Sequence, residues 1–184
     1  MATTEHSRAL DTKFHGLLHD QVRSELNAAQ QYLAVAVYFD GADLPQLAAL
    51  FYRQSVEERN HALMLVQYLI DRDLPAEIPP VDPVRNGFES PREALALALR
   101  LEREVTDQVG RLAATARDEG DYLGEQFMQW FLKEQVEEVA MMTTLVRIAD
   151  RAGNDLFHLE DFVAREVPVP TGDPGAPKAA GGAL

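Results

Sequence analysis

There is no cysteine among the 184 residues. Disulfide frameworks, thiolate zinc sites, iron–sulfur ligation and cysteine nucleophiles are all excluded together, so any transition metal must be held by oxygen or imidazole. Positive charge is scarce too. Against 30 Asp and Glu stand 17 Lys and Arg, giving a formal charge of −13 and a sequence pI near 4.7. Phosphate backbones and anionic lipid surfaces repel such a chain, which excludes nucleic acid and membrane as partners and favours cations. No apolar run approaches the roughly 18 residues needed to cross a bilayer, and Met-Ala-Thr-Thr-Glu-His is not a basic leader followed by an apolar core. A cytoplasmic protein is expected.

Proline is missing from most of the chain. Of ten prolines, five lie between Pro75 and Pro91 and four between Pro168 and Pro177. Because proline breaks helices from within, the stretches between these groups are free to be long helices. The first runs from about Arg8 to Phe39 and stops at Asp40-Gly41. The second starts with Asp43 as N-cap and Gln46 as its capping-box partner, with Pro45 in the first turn, and continues to about Asp71. Ser90-Pro91-Arg92-Glu93 opens a third that ends near Gly120. A fourth runs from about Tyr122 to Arg151, and Asp155 to Glu166 reads as a short fifth. No segment alternates with period two, so no strands are expected. Four helices of roughly 28 to 32 residues would be about 42 to 48 Å long and must lie side by side. The connections after Phe39 and Gly120 are short, whereas Arg72 to Ser90 is long enough to traverse the bundle. The expected fold is all-α: one up-down bundle over 1–167 with a long crossover, then a flexible Gly/Ala/Pro-rich tail over 168–184.

The inward stripes of these helices carry carboxylates. The first reads Leu18, Val22, Glu25, Ala29, Tyr32, Ala36, and the second Leu47, Phe51, Gln54, Glu58, His61, Leu65, Tyr68. The third reads Leu95, Ala98, Glu102, Val105, Val109, and the fourth Met128, Phe131, Gln135, Glu138, Met142, with Glu134 and Glu137 beside it. One such glutamate alone reads as a stripe-edge residue reaching solvent. Four at matching heights converge, and converging buried carboxylates need positive charge. Arg59, Arg103 and Lys133 each fall one residue off the stripes, leaving protonated carboxyls or metal ions. Glu58 and His61, one turn apart, share a face as chelation requires. Oxygen ligands with one imidazole suit iron, manganese or zinc. His15 and His19 form an i, i+4 pair that could hold a surface metal but reads first as solvated, and His6 and His158 carry no signal. The Phe127, Trp130, Phe131 group and the methionines beside it read as packing.

Glu25 with Tyr32 seven residues on, the run Glu57-Glu58-Arg59-Asn60-His61-Ala62, Leu101-Glu102 and Glu134-Gln135-Val136-Glu137-Glu138 together resemble the bacterial non-haem ferritins, most closely the actinobacterial type, over about residues 8 to 166. The resemblance implies a ferroxidase centre in which Glu25, Glu58 and His61 hold the first iron, with Glu58 bridging to the second. It matches Glu102 and Gln135 to the second-iron ligand and its neighbouring amide, and Tyr32 to the tyrosine beside the centre. It assigns Glu57, Glu134, Glu137 and Glu138 to a third iron position just inside the cavity. Glu125 falls near the segment that lines three-fold channels. Bacterioferritins carry a haem-ligating methionine directly after the second-helix glutamate, where this chain has Arg59, so no haem is expected. The fourth helix also lacks a second Glu-x-x-His, which makes the centre asymmetric.

What the resemblance implies is iron storage. Ferritins of this kind form 24-subunit shells, oxidise Fe(II) with O2 or H2O2 at the dinuclear centre, and store it as a ferric oxide-hydroxide mineral. A catalytic di-iron oxygenase would predict the missing second Glu-x-x-His. The mini-ferritins that protect DNA place their ligands between subunits, and a purely structural bundle leaves the four glutamates unexplained.

Overall fold

The computed structural model describes residues 12–167 and 173–183. Five helices follow in order: α1 (Lys13–Asp40), α2 (Pro45–Asp71), α3 (Pro91–Asp118), α4 (Tyr122–Ala152) and the short α5 (Leu156–Glu166). No strand occurs among the described residues. Helix α1 packs along α2 and α3 along α4, with α1 also against α3, while α5 lies against α4 and α2. The start of α2 shares an apolar cluster with the start of α3, and the ends of both helices share a second cluster. The two helices therefore run parallel, as a long crossover requires.

That crossover is fastened to α1 by polar contacts. Asp82 accepts hydrogen bonds from the Arg23 guanidinium and from Asn27 Nδ2 at 2.8 Å, and its own N–H donates to Asn27 Oδ1 at 2.8 Å. Gln31 exchanges two bonds with the backbone of Arg85, at 2.8 and 2.9 Å. Repeated proline with anchors at two heights of α1 keeps this segment extended along the bundle.

The helix boundaries follow the punctuation with local corrections. Helix α1 begins at Lys13, capped by Thr12, and Arg8 to Asp11 lie outside the described residues. Asp43 is not the N-cap of α2. It sits in the left-handed region at φ 58°, closing the turn after α1, and Leu44 takes the cap position with no side-chain oxygen to offer. The exposed N–H groups are met instead from α5, where the Glu160 carboxylate accepts from Gln46 at 2.8 Å and Leu47 at 2.9 Å. Ser90 caps α3 as expected, with its hydroxyl accepting from Glu93 N–H at 3.2 Å, but Glu93 reaches back to the N–H of Glu89 at 2.7 Å. At the start of α4 Gly124 lies against the Phe14 ring, where an added Cβ would stand 2.5 Å from Cε1.

The tail departs from expectation. Residues 173–183 lie on the bundle and are not a free extension. Ala180 N–H donates to the Leu63 carbonyl at 3.0 Å, Trp130 Nε1 donates to Asp173 at 3.0 Å, and Lys133 Nζ stands 3.7 Å from the same carboxylate. Ala176, Ala179 and Ala180 add small apolar contacts against the lower core. Small side chains permit this close approach to α2 and α4, which composition alone does not reveal.

Because Glu160 alone among the described residues supplies side-chain caps to the first turn of α2, Glu160→Ala should cost about 1–2 kcal/mol. Urea unfolding should show a lower midpoint at unchanged slope. An unchanged midpoint would mean that water replaces the carboxylate without loss.

Candidate metal centre

The apolar core is split. One cluster, around Val35, Phe39, Leu47, Phe51, Leu95 and Leu145, fills one end of the bundle, and another, around Phe14, Leu18, Leu65, Leu69, Leu112 and Met128, fills the other. Between them lies a polar layer in which Glu25, Glu58 and Glu102 are each 1% exposed, His61 and Gln135 3% and Glu138 5%. The stripes read from the sequence thus do turn inward at one level, and the three-and-four spacing of each helix puts one carboxylate there.

Two groups of candidate ligands form. Glu25, Glu58 and His61 each place a ligand atom within 4.8 Å of the others, with His61 Nδ1 3.3 Å from Glu58 Oε2. The imidazole is held by the edges of Trp130 and Phe131, at ring distances of 5.6 and 5.8 Å. Glu57, Glu134 and Glu138 form the second group within the same limit, nearer the surface since Glu57 and Glu134 are half-buried. Glu137 is exposed and lies outside this group. Glu102 faces the first group from α3, with one oxygen accepting from the Tyr32 hydroxyl and the other from Gln135 Nε2 at 3.4 Å.

Three residues that sequence reading left without a role complete the layer. Gln21, 2% exposed, donates to Glu25 Oε1 at 2.9 Å. Gln54 Nε2 donates to Glu57 at 2.7 Å and reaches Glu138 at 3.5 Å. Thr106 Oγ lies 2.9 Å from Gln135 Oε1. Gln21 and Thr106 each stand four residues from a stripe glutamate, and that i, i+4 spacing is the signal by which they could have been found.

The other histidines are placed differently. His15 is buried against the Phe14 ring and 4.0 Å from Asp121, so the pair it forms with His19 is not a solvated one, and neither joins a ligand group. Glu125 pairs with Arg117 across the α3–α4 turn.

The electrostatics of the layer are those of excess negative charge. Arg59, Arg103 and Lys133 are exposed, and the Arg and Lys ion pairs of the described residues involve carboxylates outside this layer. Glu25 Oε2, Glu58 Oε1 and Glu138 Oε2 are buried with no hydrogen-bond partner. Burial, then the charges of Glu102 and Glu25, push the Glu58 carboxyl well above the ordinary range. Burial lifts Glu102 to about 7 against the opposing hydrogen bonds of Tyr32 and Gln135, and burial with the charges of Glu102 and Glu57 lifts Glu138 to about 9. Burial and the nearby glutamates also raise the Tyr32 phenol, so Tyr32 keeps its proton and donates it to Glu102. Orphaned carboxyl oxygens beside one imidazole fit a divalent or trivalent cation, which would satisfy each lone pair and displace the protons.

A model of the ferritin-like domain matches residues 16–152. Ferritin BfrB of Mycolicibacterium smegmatis is 72% identical over 179 residues, 97% of this chain and 99% of that protein. A protein of Mycobacterium tuberculosis named Bacterioferritin BfrB is 71% identical over 173 residues, 94% of this chain and 96% of its own. The bacterial non-heme ferritin of Staphylococcus aureus is 38% identical over 138 residues, 75% of this chain and 83% of that one. Among solved structures, an open pore ferritin from Archaeoglobus fulgidus superposes with a TM-score of 0.80 at 28% identity, covering 85% of this chain and 99% of the other.

The raised carboxyls carry a pH signature. Between the unfolded value of 4.5 and the folded values of about 7 and about 9, the folded metal-free protein binds more protons than the unfolded chain, so stability falls as pH rises. The Glu102 contribution should level off near pH 7 and that of Glu138 near pH 9. Urea unfolding of metal-free protein across this range should show the decline, and Glu138→Gln should flatten its upper half. Stability that climbs through the same window in both proteins would contradict the assignment.

Proposed function

Since the chain belongs to the ferritin family, we propose that it is an iron-storage protein of the non-haem type that oxidises Fe(II) at a dinuclear centre inside each subunit. The observation that carries this reading is the convergence of Glu25, Glu58 and His61 in a buried layer whose carboxylate oxygens meet no Arg or Lys among the described residues. Iron is the substrate here. Glu25, Glu58 and His61 take the first Fe(II), Glu58 bridges, and Glu102 with Gln135 takes the second. Glu57, Glu134 and Glu138 receive iron on its way out, with Glu137 further along the same exposed face.

Two ions on adjacent hard ligands let two electrons leave in one encounter. They reduce O2 to peroxide, or H2O2 to water, and both irons become Fe(III). Carboxylates favour the more highly charged ion, so the protein stabilises the product of oxidation. Tyr32 keeps one Glu102 oxygen oriented, and the half-buried second group offers the oxidised ions a path of carboxylates toward the α2–α4 face. In this reading that face turns inward in a 24-subunit cytoplasmic shell, and ferric oxide-hydroxide mineral grows against it. Arg59 at the position following Glu58 leaves no methionine there for a haem, which supports the non-haem assignment over the alternative carried by the name of the tuberculosis relative.

Glu58→Ala and His61→Ala should each abolish rapid oxidation while leaving assembly intact. Aerobic addition of Fe(II) to metal-free protein, followed by ferric absorbance, reads the first, and gel filtration reads the second. Wild-type oxidation rates in either variant would overturn the site, and a wild-type protein that elutes as a monomer or dimer would overturn the shell.

A further inference from the structure

Thr106 stands one turn beyond Glu102 on α3, and its hydroxyl touches two acceptors. The Oγ atom is 2.7 Å from the backbone carbonyl of Glu102 and 2.9 Å from Oε1 of Gln135 on α4. A hydroxyl has one proton, so it donates to one neighbour at a time, but its lone pairs can accept from another. Two complete arrangements follow. In the first, Thr106 donates to the Gln135 carbonyl oxygen, and Gln135 Nε2 donates to Glu102 Oε2 at 3.4 Å. In the second, Thr106 donates back to the Glu102 backbone carbonyl and accepts from the Gln135 NH2 group. The amide oxygen of Gln135 then faces the Glu102 carboxylate.

Two oxygens so placed repel unless a cation lies between them, and with a cation both become ligands. We propose that Thr106 is a positioning residue that lets Gln135 alternate between hydrogen-bond donor to Glu102 and oxygen ligand of the second metal. The proposal rests on the dinuclear reading above. The exchange is a half-turn of an amide whose oxygen and NH2 are nearly equal in size, so the packing of this buried layer is undisturbed. A hydroxyl serves both orientations because it can donate or accept. Valine, of the same shape, does neither. The second half-site has particular need of this oxygen, because His61 and Glu25 belong to the first group and the other Glu102 oxygen is already engaged by Tyr32.

The test uses the assembled, metal-free, full-length protein titrated with Zn(II) by calorimetry and with Co(II) by visible absorption, neither of which needs iron oxidation. In Thr106→Val the first ion should bind as in wild type and the second roughly tenfold more weakly, with Thr106→Ser restoring the second step. Equal binding of both ions in wild type and Thr106→Val defeats the role of Thr106, as does a uniform loss at both steps or a serine variant no better than valine. Wild-type protein that binds no ion in a manner sensitive to His61→Ala defeats the dinuclear reading itself, and the proposal with it.

Discussion

Four glutamates buried at one level of a helical bundle repel one another, and each would cost several kcal/mol if left charged and unpartnered. The rest of the molecule is arranged around that constraint. Among the described residues no Arg or Lys enters the layer, so the chain moderates the repulsion by other means: amide donors from Gln21, Gln54 and Gln135, a phenol from Tyr32, and carboxyls of Glu58, Glu102 and Glu138 whose affinity for protons is raised. None of these neutralises the layer fully, as the unpartnered oxygens of Glu25, Glu58 and Glu138 show. What holds the bundle together is the apolar packing above and below it, where fully buried Leu, Phe and Met side chains contribute about 1.5–3 kcal/mol apiece. Length matters for this reason. Helices of 27 to 31 residues leave several turns of hydrophobic contact on each side of the polar level.

Topology divides the centre between two hairpins. Glu25, Glu58 and His61 come from the α1–α2 pair, while Glu102, Gln135 and Glu138 come from the α3–α4 pair. The crossover, tied to α1 through Asp82 and Arg85, sets the height at which the second hairpin meets the first. Its polar anchors are exposed and individually weak, but they fix an extended segment in register along α1. The imidazole is therefore confined to one half of the centre. An uneven polar layer, with its one imidazole on the first hairpin, is built into the order of the helices.

Much of this was legible in the sequence. Proline spacing located the helices and the crossover, because a missing N–H and a ring clash act locally and leave little to tertiary context. The stripe positions of Glu25, Glu58, His61, Glu102, Gln135 and Glu138 were equally legible, since a helix fixes which residues share a face. What escaped were features in which distant segments settle a local question. Asp43 looked like an N-cap, but Glu160, more than a hundred residues away, meets the same N–H groups and frees Asp43 to close a turn. The tail over 168–184 looked unable to order itself, yet for its described residues 173–183 Trp130, Lys133 and the Leu63 carbonyl supply partners. Gln21, Gln54 and Thr106 escaped for a different reason: polar residues beside a carboxylate matter only once the carboxylate is known to be buried.

The chain has a single tryptophan, and its ring stands edge-on to His61 while its N–H is given to Asp173. An indole in that position is an optical probe installed by the fold itself. Its emission arises from one place in each chain, without interference from a second fluorophore of its kind, and on the proposed reading is exposed to quenching by an open-shell ion held at His61. It also senses the carboxylate of the docked tail. Occupancy of the centre and seating of the tail thus reach the observer through one chromophore, in the unmodified protein and without a label.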